Sequence, residues 1–312
     1  MTQLDVCVVG EINPDLILYG LPKDLQPERE LLIEGFRLTL GSSSAIFAHN
    51  LSVLGARVGM VSKIGTDPLG KIALDWISAG GVDVSQVQQA TNATSTGLTV
   101  ILAQPSERFI LTYPGTMFEL RYEDLDLDYI FSARHLHVSS YFLQKALRPR
   151  IGELFREAQK RGLTTSLDTN DDPEGLWADD LIQVLGNVDI FLPNEREAMS
   201  ITRARDLEGA IRDLSGRVGI LAVKLGSRGA TARKGADEWN CPSVRVEAVD
   251  TVGAGDSFDA GFIRAFLQGA SVQRCLEYGN LAGAYSTTRN GGTEAFRDRE
   301  ALTQFLREHG SK

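Results

Sequence analysis

The chain has 312 residues and a formal charge of −9 at neutral pH, from 32 basic and 41 acidic side chains. Hydrophobic residues make up 43% and charged residues 23%, which are values of a folded globular chain and exclude global disorder. A chain of this length buries about three quarters of its unfolded surface, so it needs no disulfide or metal staple. The acidic balance argues against general binding to nucleic acid or to an anionic membrane.

The three cysteines, Cys7, Cys241 and Cys275, are odd in number and widely spaced. No Cys-x-x-Cys pair exists, so neither a zinc knuckle nor a disulfide framework is expected. No basic segment followed by a long apolar run opens the chain, and no stretch reaches the ~18 uncharged apolar residues of a membrane span. The sequon Asn92-Ala93-Thr94 reads as chance, and a reducing cytoplasm is the expected setting.

In chain order, short β-branched runs recur at 6–9, 58–64, 98–102, 109–113, 163–167, 188–192, 220–225 and 244–249. Amphipathic stretches stand among them at 45–54, 69–78, 151–161, 206–214, 258–267 and 299–306. Strands alternating with helices of this length predict an α/β fold with a mostly parallel sheet covered on both faces. The segments 14–40 and 94–116 hold extended runs with no intervening helix. They predict a small antiparallel sheet, inserted into one domain spanning 1–312, that acts as a lid.

The segment Val244–Phe262 carries the most chemical information. An alternating strand is predicted to end at Asp250, a small-residue turn follows, and a helix starts near Asp256. Phe258, Phe262 and Phe266 then fall on one helix face. Two glycines at a helix N-terminus let backbone N–H groups converge on an anion, since those donors lack intrahelical partners and the dipole favours negative charge. Asp256 would repel such a ligand unless it acts as a base on an attacking hydroxyl. The plainer alternative is an N-cap beside a glycine turn. No Walker A pattern occurs, and a dinucleotide fingerprint fails because its third Gly would fall at Phe258.

The stretch Asp250-Thr251-Val252-Gly253-Ala254-Gly255-Asp256-Ser257-Phe258 resembles the signature of the PfkB (ribokinase-like) carbohydrate kinases. Further matches follow in the family's order. They are Gly10-Glu11-Ile12-Asn13-Pro14-Asp15, Gly41–Gly55, Gly65-Thr66-Asp67-Pro68-Leu69-Gly70, Asp168-Thr169-Asn170, Asn194-Glu195-Arg196-Glu197, Lys224–Gly229, and Asn280–Ala284 with Thr288–Gly292 as the last helix and its exit. The resemblance implies a three-layer α/β/α sandwich with a β-sheet lid. It also implies ATP-dependent phosphorylation of a sugar hydroxyl.

The resemblance further implies roles. Asp256 is the base, and the amides of Gly253, Ala254 and Gly255 form the anion hole. Asn13 and Asp15 bond substrate hydroxyls, near Gly41 and Ser42; a carboxylate suits adjacent hydroxyls because it only accepts. Asn194 and Glu197 organise Mg²⁺ through its waters. Lys224, Gly226, Gly229 and Asn280 line the nucleotide side. Asp250 and the carbonyl of Val252 match a K⁺ site. Taken alone, Asp15 reads equally as a turn residue, Glu197 as a solvated first-turn acid, and the glycines as a β-turn.

Two departures stand out. Ser42 replaces the family's second Gly, and Ile46 replaces an Asn that contacts sugar in ribokinase-like members. Ile46 neither donates nor accepts, which weakens an assignment of ribose. Ser140 and Tyr141 stand where some members carry a substrate-contacting acid, and are expected on the substrate side. His135 and His137 share a strand face but lack ligand partners for zinc. The acidic run 123–128 reads as a helix start rather than a calcium loop. Arg108 has the reach for a substrate phosphate, with a surface residue as the plainer reading. The alternatives to a sugar kinase are a nucleoside kinase of the same fold and a non-catalytic ligand-binding relative. A homodimer through the lid is expected by fold analogy.

Overall fold

The computed structural model describes residues 3–22, 24–103, 108–177 and 180–310. The tip of the second inserted segment, 104–107, lies outside the described residues. In chain order the strands are β1 (Val6–Val9), β2 (Pro14–Tyr19), β3 (Gly35–Leu40), β4 (Val58–Ile64), β5 (Asp83–Gln89), β6 (Leu98–Ala103), β7 (Arg108–Tyr113), β8 (His135–Val138), β9 (Thr164–Leu167), β10 (Ile190–Phe191), β11 (Ile220–Lys224), β12 (Ala230–Lys234) and β13 (Asp237–Cys241). The α-helices are α1 (Ser43–Val53), α2 (Pro68–Ala79), α3 (Leu127–Phe131), α4 (Arg148–Lys160), α5 (Asp180–Leu185), α6 (Glu195–Thr202), α7 (Leu207–Ser215), α8 (Ala254–Leu267), α9 (Val272–Ser286) and α10 (Arg299–His309).

Nine strands form one sheet in the order β13-β12-β11-β10-β9-β8-β1-β4-β5. Its pairs are parallel from β5 to β11, and β12 and β13 add antiparallel at the edge. In β1, Val6, Cys7, Val8 and Val9 are all fully buried, because helices cover both faces. Cys7 and Val9 pack toward α3–α7, whereas Val6 and Val8 pack toward α1, α2, α8 and α9. The chain winds outward from β1 through β4 to β5, then returns to β8 and winds the other way. Loops leaving β1 and β8 therefore diverge, which opens a crevice at the strand C-termini.

Four strands form a separate sheet, in the order β3-β2-β6-β7. Cross-strand register places Asp15, Thr99 and Thr112 in one row and Ile17, Ile101 and Ile110 in another on the same face. The Gly65-x-Asp67-x-x-Gly70 motif joins this sheet to the main body. Asp67 caps α2 through the amides of Leu69 and Gly70, and also accepts from the Thr96 amide at 2.6 Å.

Four sequence expectations need correction. The small sheet is mixed rather than antiparallel, because its central β2–β6 pair runs parallel. Residues 244–249 form no ladder; Val244, Arg245, Val246 and Ala248 line a cavity instead. The β12–β13 hairpin was not foreseen, since its outer strand Asp-Glu-Trp-Asn-Cys is largely polar. The helix carrying Asn280 is α9 and is followed by α10, so it is not the last. No helix among the described residues is long and apolar enough to cross a membrane.

His135 and His137 lie on the inner sheet face in a chain of hydrogen bonds. Each ring nitrogen meets a hydroxyl at 2.7 Å: Thr164 and Ser166 for His135, Ser166 and Ser139 for His137. His137 also stacks on Phe47 at 3.8 Å. Burial pushes both imidazoles down to about 3 from 6.5. Their native pKa is depressed, so their contribution to stability is present above pH 6.5 and is lost as pH falls from 6.5 toward 3. The His135→Gln/His137→Gln double variant should therefore lose stability less steeply than the parent across that window. Urea unfolding at several pH values reads the slope, which is about 1.4 kcal/mol per pH unit for each histidine.

Candidate active site

A cavity of about 420 Å³ opens in the crevice at the C-terminal ends of β1, β8, β9 and β11, beneath the four-stranded sheet. A second, of about 670 Å³, adjoins it. Lys224, Gly226, Thr251, Ala254 and Gly255 line both, so the start of α8 forms the junction.

Local geometry dictates glycine at the turn before α8. Gly253 has φ 73°, and a Cβ there would meet Gly292 Cα at 2.5 Å and Ile46 Cγ2 at 3.2 Å. Ile46 thus packs under the turn, where no polar group is required. The role of fixing the turn falls one helical turn further on: Asn50 donates to Ser257 Oγ at 2.9 Å and to Gly292 O at 3.0 Å. The first i→i−4 bond at this end of α8 runs from Ser257 N to Gly253 O at 2.9 Å. The preceding amides belong to the helix's positive end.

Asp256 stands in that first turn and lines the first cavity. Burial, and then the charge of Asp168, raise its carboxyl to about 6, while Lys224 opposes them. The Lys224 ammonium donates to Asp168 at 3.1 Å and to both oxygens of Asp259, at 3.0 and 3.2 Å. Burial works against its charge, but Asp168 and Asp259 outweigh it and hold it protonated. Burial pushes the Asp259 carboxyl well above the usual carboxylate range, while Lys224 holds that of Asp168 below it.

On the other wall, Asn13 and Asp15 are buried and line the same cavity. Burial, and then Asp256, push Asp15 up to about 7. Gly41 lies flat against it: a Cβ there would sit 2.0 Å from Asp15 Oδ1. Ser42 takes φ 64° and ψ 141°, a conformation that favours glycine. Its hydroxyl offsets the strain by donating to Glu11 O at 2.8 Å and accepting from Ala45 N at 3.1 Å. Ser140, at φ 52°, donates to Glu11 Oε1 at 2.7 Å. Of the expected substrate-side residues, Gly41 and Tyr141 do not line the cavity; Gly41 backs Asp15, and Tyr141 turns away. Tyr141 is fully buried and donates to Asp180 at 2.9 Å; the hydrophobic core claims its ring.

Asn194 and Glu197 form a reciprocal capping box on α6, each side chain accepting from the other's amide at 2.9 Å. Glu197 is buried and lines the cavity, which rules out a solvated acid. Burial, and then Asp168, raise it to about 7. Gly226 and Gly229 line the second cavity with φ 61° and 97°, and a Cβ on Gly229 would meet Cys241 O at 2.1 Å. Asn280 lines it too, but its amide donates to Cys241 O at 3.0 Å and Pro242 O at 3.2 Å. Asp250 ties two loops together by accepting from Val252 N at 3.0 Å and Gly291 N at 2.9 Å.

Sequence reasoning assigned no role to Glu11, Asp259 or Asn170, and preferred a surface position for Arg108. Glu11 is buried among Ser44, Ser140 and Gln144. Asp259, one helical turn past Asp256, carries a sequence signal: an acid amid the apolar face of α8. Asn170, at φ 52°, donates to Ser43 Oγ at 2.9 Å. Arg108 on β7 is exposed yet lines the cavity and donates to Thr251 Oγ1 at 3.2 Å.

The model of the pfkB family carbohydrate kinases matches residues 3–299. The 2-dehydro-3-deoxygluconokinase of Bacillus subtilis is 31% identical over 288 residues, covering 88% of each chain. The ATP-dependent ribose-1-phosphate kinase of Halopiger xanaduensis is 30% identical over 303 residues, covering 97% of this chain and 98% of its own. A ribokinase II from E. coli, described as putative and solved in complex with ATP and Mg²⁺, is 25% identical, with a TM-score of 0.84 over 98% of this chain and 100% of its own. The chain belongs to the pfkB family and is an ATP-dependent carbohydrate kinase of ribokinase-like fold.

Proposed function

We propose that the sugar occupies the first cavity, the nucleotide the second, and that transfer takes place at the junction before α8. The observation that carries this reading is the position of Asp256, in the first turn of α8 where the two cavities meet. Asp256 takes the proton from a sugar hydroxyl as that oxygen bonds to the terminal phosphorus of ATP. The bond from phosphorus to the ADP oxygen breaks, and the amides of Gly253, Ala254 and Gly255 hold the charge of the migrating group. Asn13 and Asp15, set against Gly41, orient the hydroxyls, and Ser42 and Ser140 shape the wall beside them. Lys224 supplies a fixed cation, and Gly226, Gly229 and Asn280 shape the nucleotide's bed.

Mg²⁺ carried on the nucleotide phosphates would neutralise their charge. Asn194 and Glu197 offer hard oxygen acceptors at the cavity wall for its waters, as a Mg²⁺ site requires. A monovalent cation, K⁺, fits the oxygen donors of Asp250 and Val252. We further assign the four-stranded sheet as the lid that excludes water during transfer. The setting we propose is the cytoplasm, in keeping with three buried free cysteines.

The outer face of that sheet supports a homodimer. Leu16, Leu18, Phe36, Leu38, Val100, Leu102, Phe109, Leu111 and Tyr113 alternate onto it, with Phe36, Phe109, Leu111 and Tyr113 from 48% to 70% exposed. An apolar face of this extent seeks a partner, and a second copy offers the same surface. Light scattering should give twice the chain mass, and the Phe109→Glu/Leu111→Glu variant should be monomeric; a monomeric parent would refute the dimer.

The Asp256→Asn variant should lose at least about a hundredfold in kcat, measured by ADP release with saturating sugar. Parent kcat/KM should fall as pH drops below about 6, where Asp256 takes up its proton. Asn carries no charge to bury. Its apo form should therefore melt higher than the parent above pH 6, with the gain shrinking as pH falls toward 3.8. Replacing K⁺ by a bulky organic cation should raise the KM for ATP.

A further inference from the structure

We infer that the acceptor is an uncharged sugar, bearing neither phosphate nor carboxylate, because the sugar end of the cavity offers hydrogen-bond acceptors and two acids but, among the described residues, no cation. This deepens the reading proposed above and rests on it.

The cavity is polarised. Among the described residues, Lys224 and Arg108 are the cations that line it. Lys224 lines both cavities, and its ammonium is held between Asp168 and Asp259. Arg108 lines the first cavity alone, and its guanidinium bonds Thr251, which lines both. On β7, Arg108 lies four residues from Thr112, the residue in the Asp15 row, hence about 13 Å along the strand at ~3.3 Å per residue. Both cations are therefore held toward the start of α8 rather than in the Asp15 row.

At the far end stand Glu11 and Asp15. The Glu11 oxygens accept from Ser44 at 2.9 Å, Ser140 at 2.7 Å and Gln144 at 2.6 Å, all neutral donors. Asp15 has only Asn13 Nδ2 and the Thr99 hydroxyl beside it, with Gly41 at its back. Asn13 is 1% exposed, and its amide donor is committed to Pro14 O at 3.0 Å. Its Oδ1 is buried with no hydrogen-bond partner. An orphaned acceptor at a cavity wall calls for a donor from the ligand. A hydroxyl supplies one, whereas a phosphate or carboxylate oxygen does not. The rest of this end is neutral among the described residues: Thr99, Thr112, Ser43 and Asn170, with Ile46, Ile101, Met117 and Leu143 as apolar walls. An anionic substituent here would face two carboxylates without a counter-ion.

The test is acceptor-dependent ADP release by the full chain with MgATP. The panel holds neutral pentoses, hexoses and ketoses, their terminal and anomeric phosphates, and aldonic and 2-dehydro-3-deoxyaldonic acids. The best neutral acceptor should exceed the best anionic one by about a hundredfold or more in kcat/KM, a margin set by like-charge repulsion. The Asp15→Asn variant should narrow that ratio by admitting anions, a change that loss of folding would not produce. An anionic acceptor as the best substrate overturns the inference and leaves the kinase reading standing. If no acceptor turns over, thermal shift with a non-hydrolysable ATP analogue separates the outcomes. Stabilisation by neutral sugars alone keeps the inference and removes the proposed chemistry, and stabilisation by none overturns both.

Discussion

The arrangement depends on keeping a carboxylate usable at the positive end of a helix. Asp256 sits in the first turn of α8 among Asp15, Asp168, Glu197 and Asp259, a density of acids that drives protons onto some of them. Lys224 opposes that pressure. Its ammonium pairs with Asp168 and Asp259, and its charge works against the burial and the Asp168 charge that raise Asp256 to about 6. The buried ion cluster is therefore better understood as setting charge states than as contributing stability.

The fold makes this junction from topology. Reversal of strand order at β1 and β8 opens the crevice, and the loops after those strands bring Glu11, Asn13 and Ser140 to one wall. The second sheet closes the top. Its pleat sends Asp15, Thr99 and Thr112 inward and a wholly apolar set outward, so one element has two faces of opposite character, one for the proposed sugar site and one for the proposed dimer. Glycines at 41 and 253 are fixed by contact rather than by flexibility, since each lies within 2.5 Å of where a Cβ would meet a neighbour.

Much of this was legible in the sequence. The alternation of β-branched runs and amphipathic stretches reports burial on both sheet faces, and so the α/β layering could be read directly. Gly253-x-Gly255-Asp256 was legible through its resemblance to the family signature, since alone it reads equally as a cap beside a glycine turn. What escaped did so for definable reasons. Residues 244–249 alternate in sequence yet line a cavity, and periodicity alone does not distinguish a cavity wall from a ladder. Tyr141 adjoins Ser140 in sequence but turns into the core, a choice set by packing against Phe142 and by Asp180. Glu11, Asp259 and Arg108 are long-range partners: their roles arise from residues 33 to 143 positions away or from the stacking of α8 on β11. The site's individual roles remain proposals that the geometry supports.

A crystal structure with a sugar acceptor and a non-hydrolysable ATP analogue tests the central claim most directly. The account predicts one sugar hydroxyl within hydrogen-bond reach of the Asp256 carboxylate, about 2.6–3.2 Å, facing the terminal phosphate across the start of α8. A sugar seated with every hydroxyl beyond that reach, and a terminal phosphate held away from the amides of Gly253 to Gly255, would contradict it.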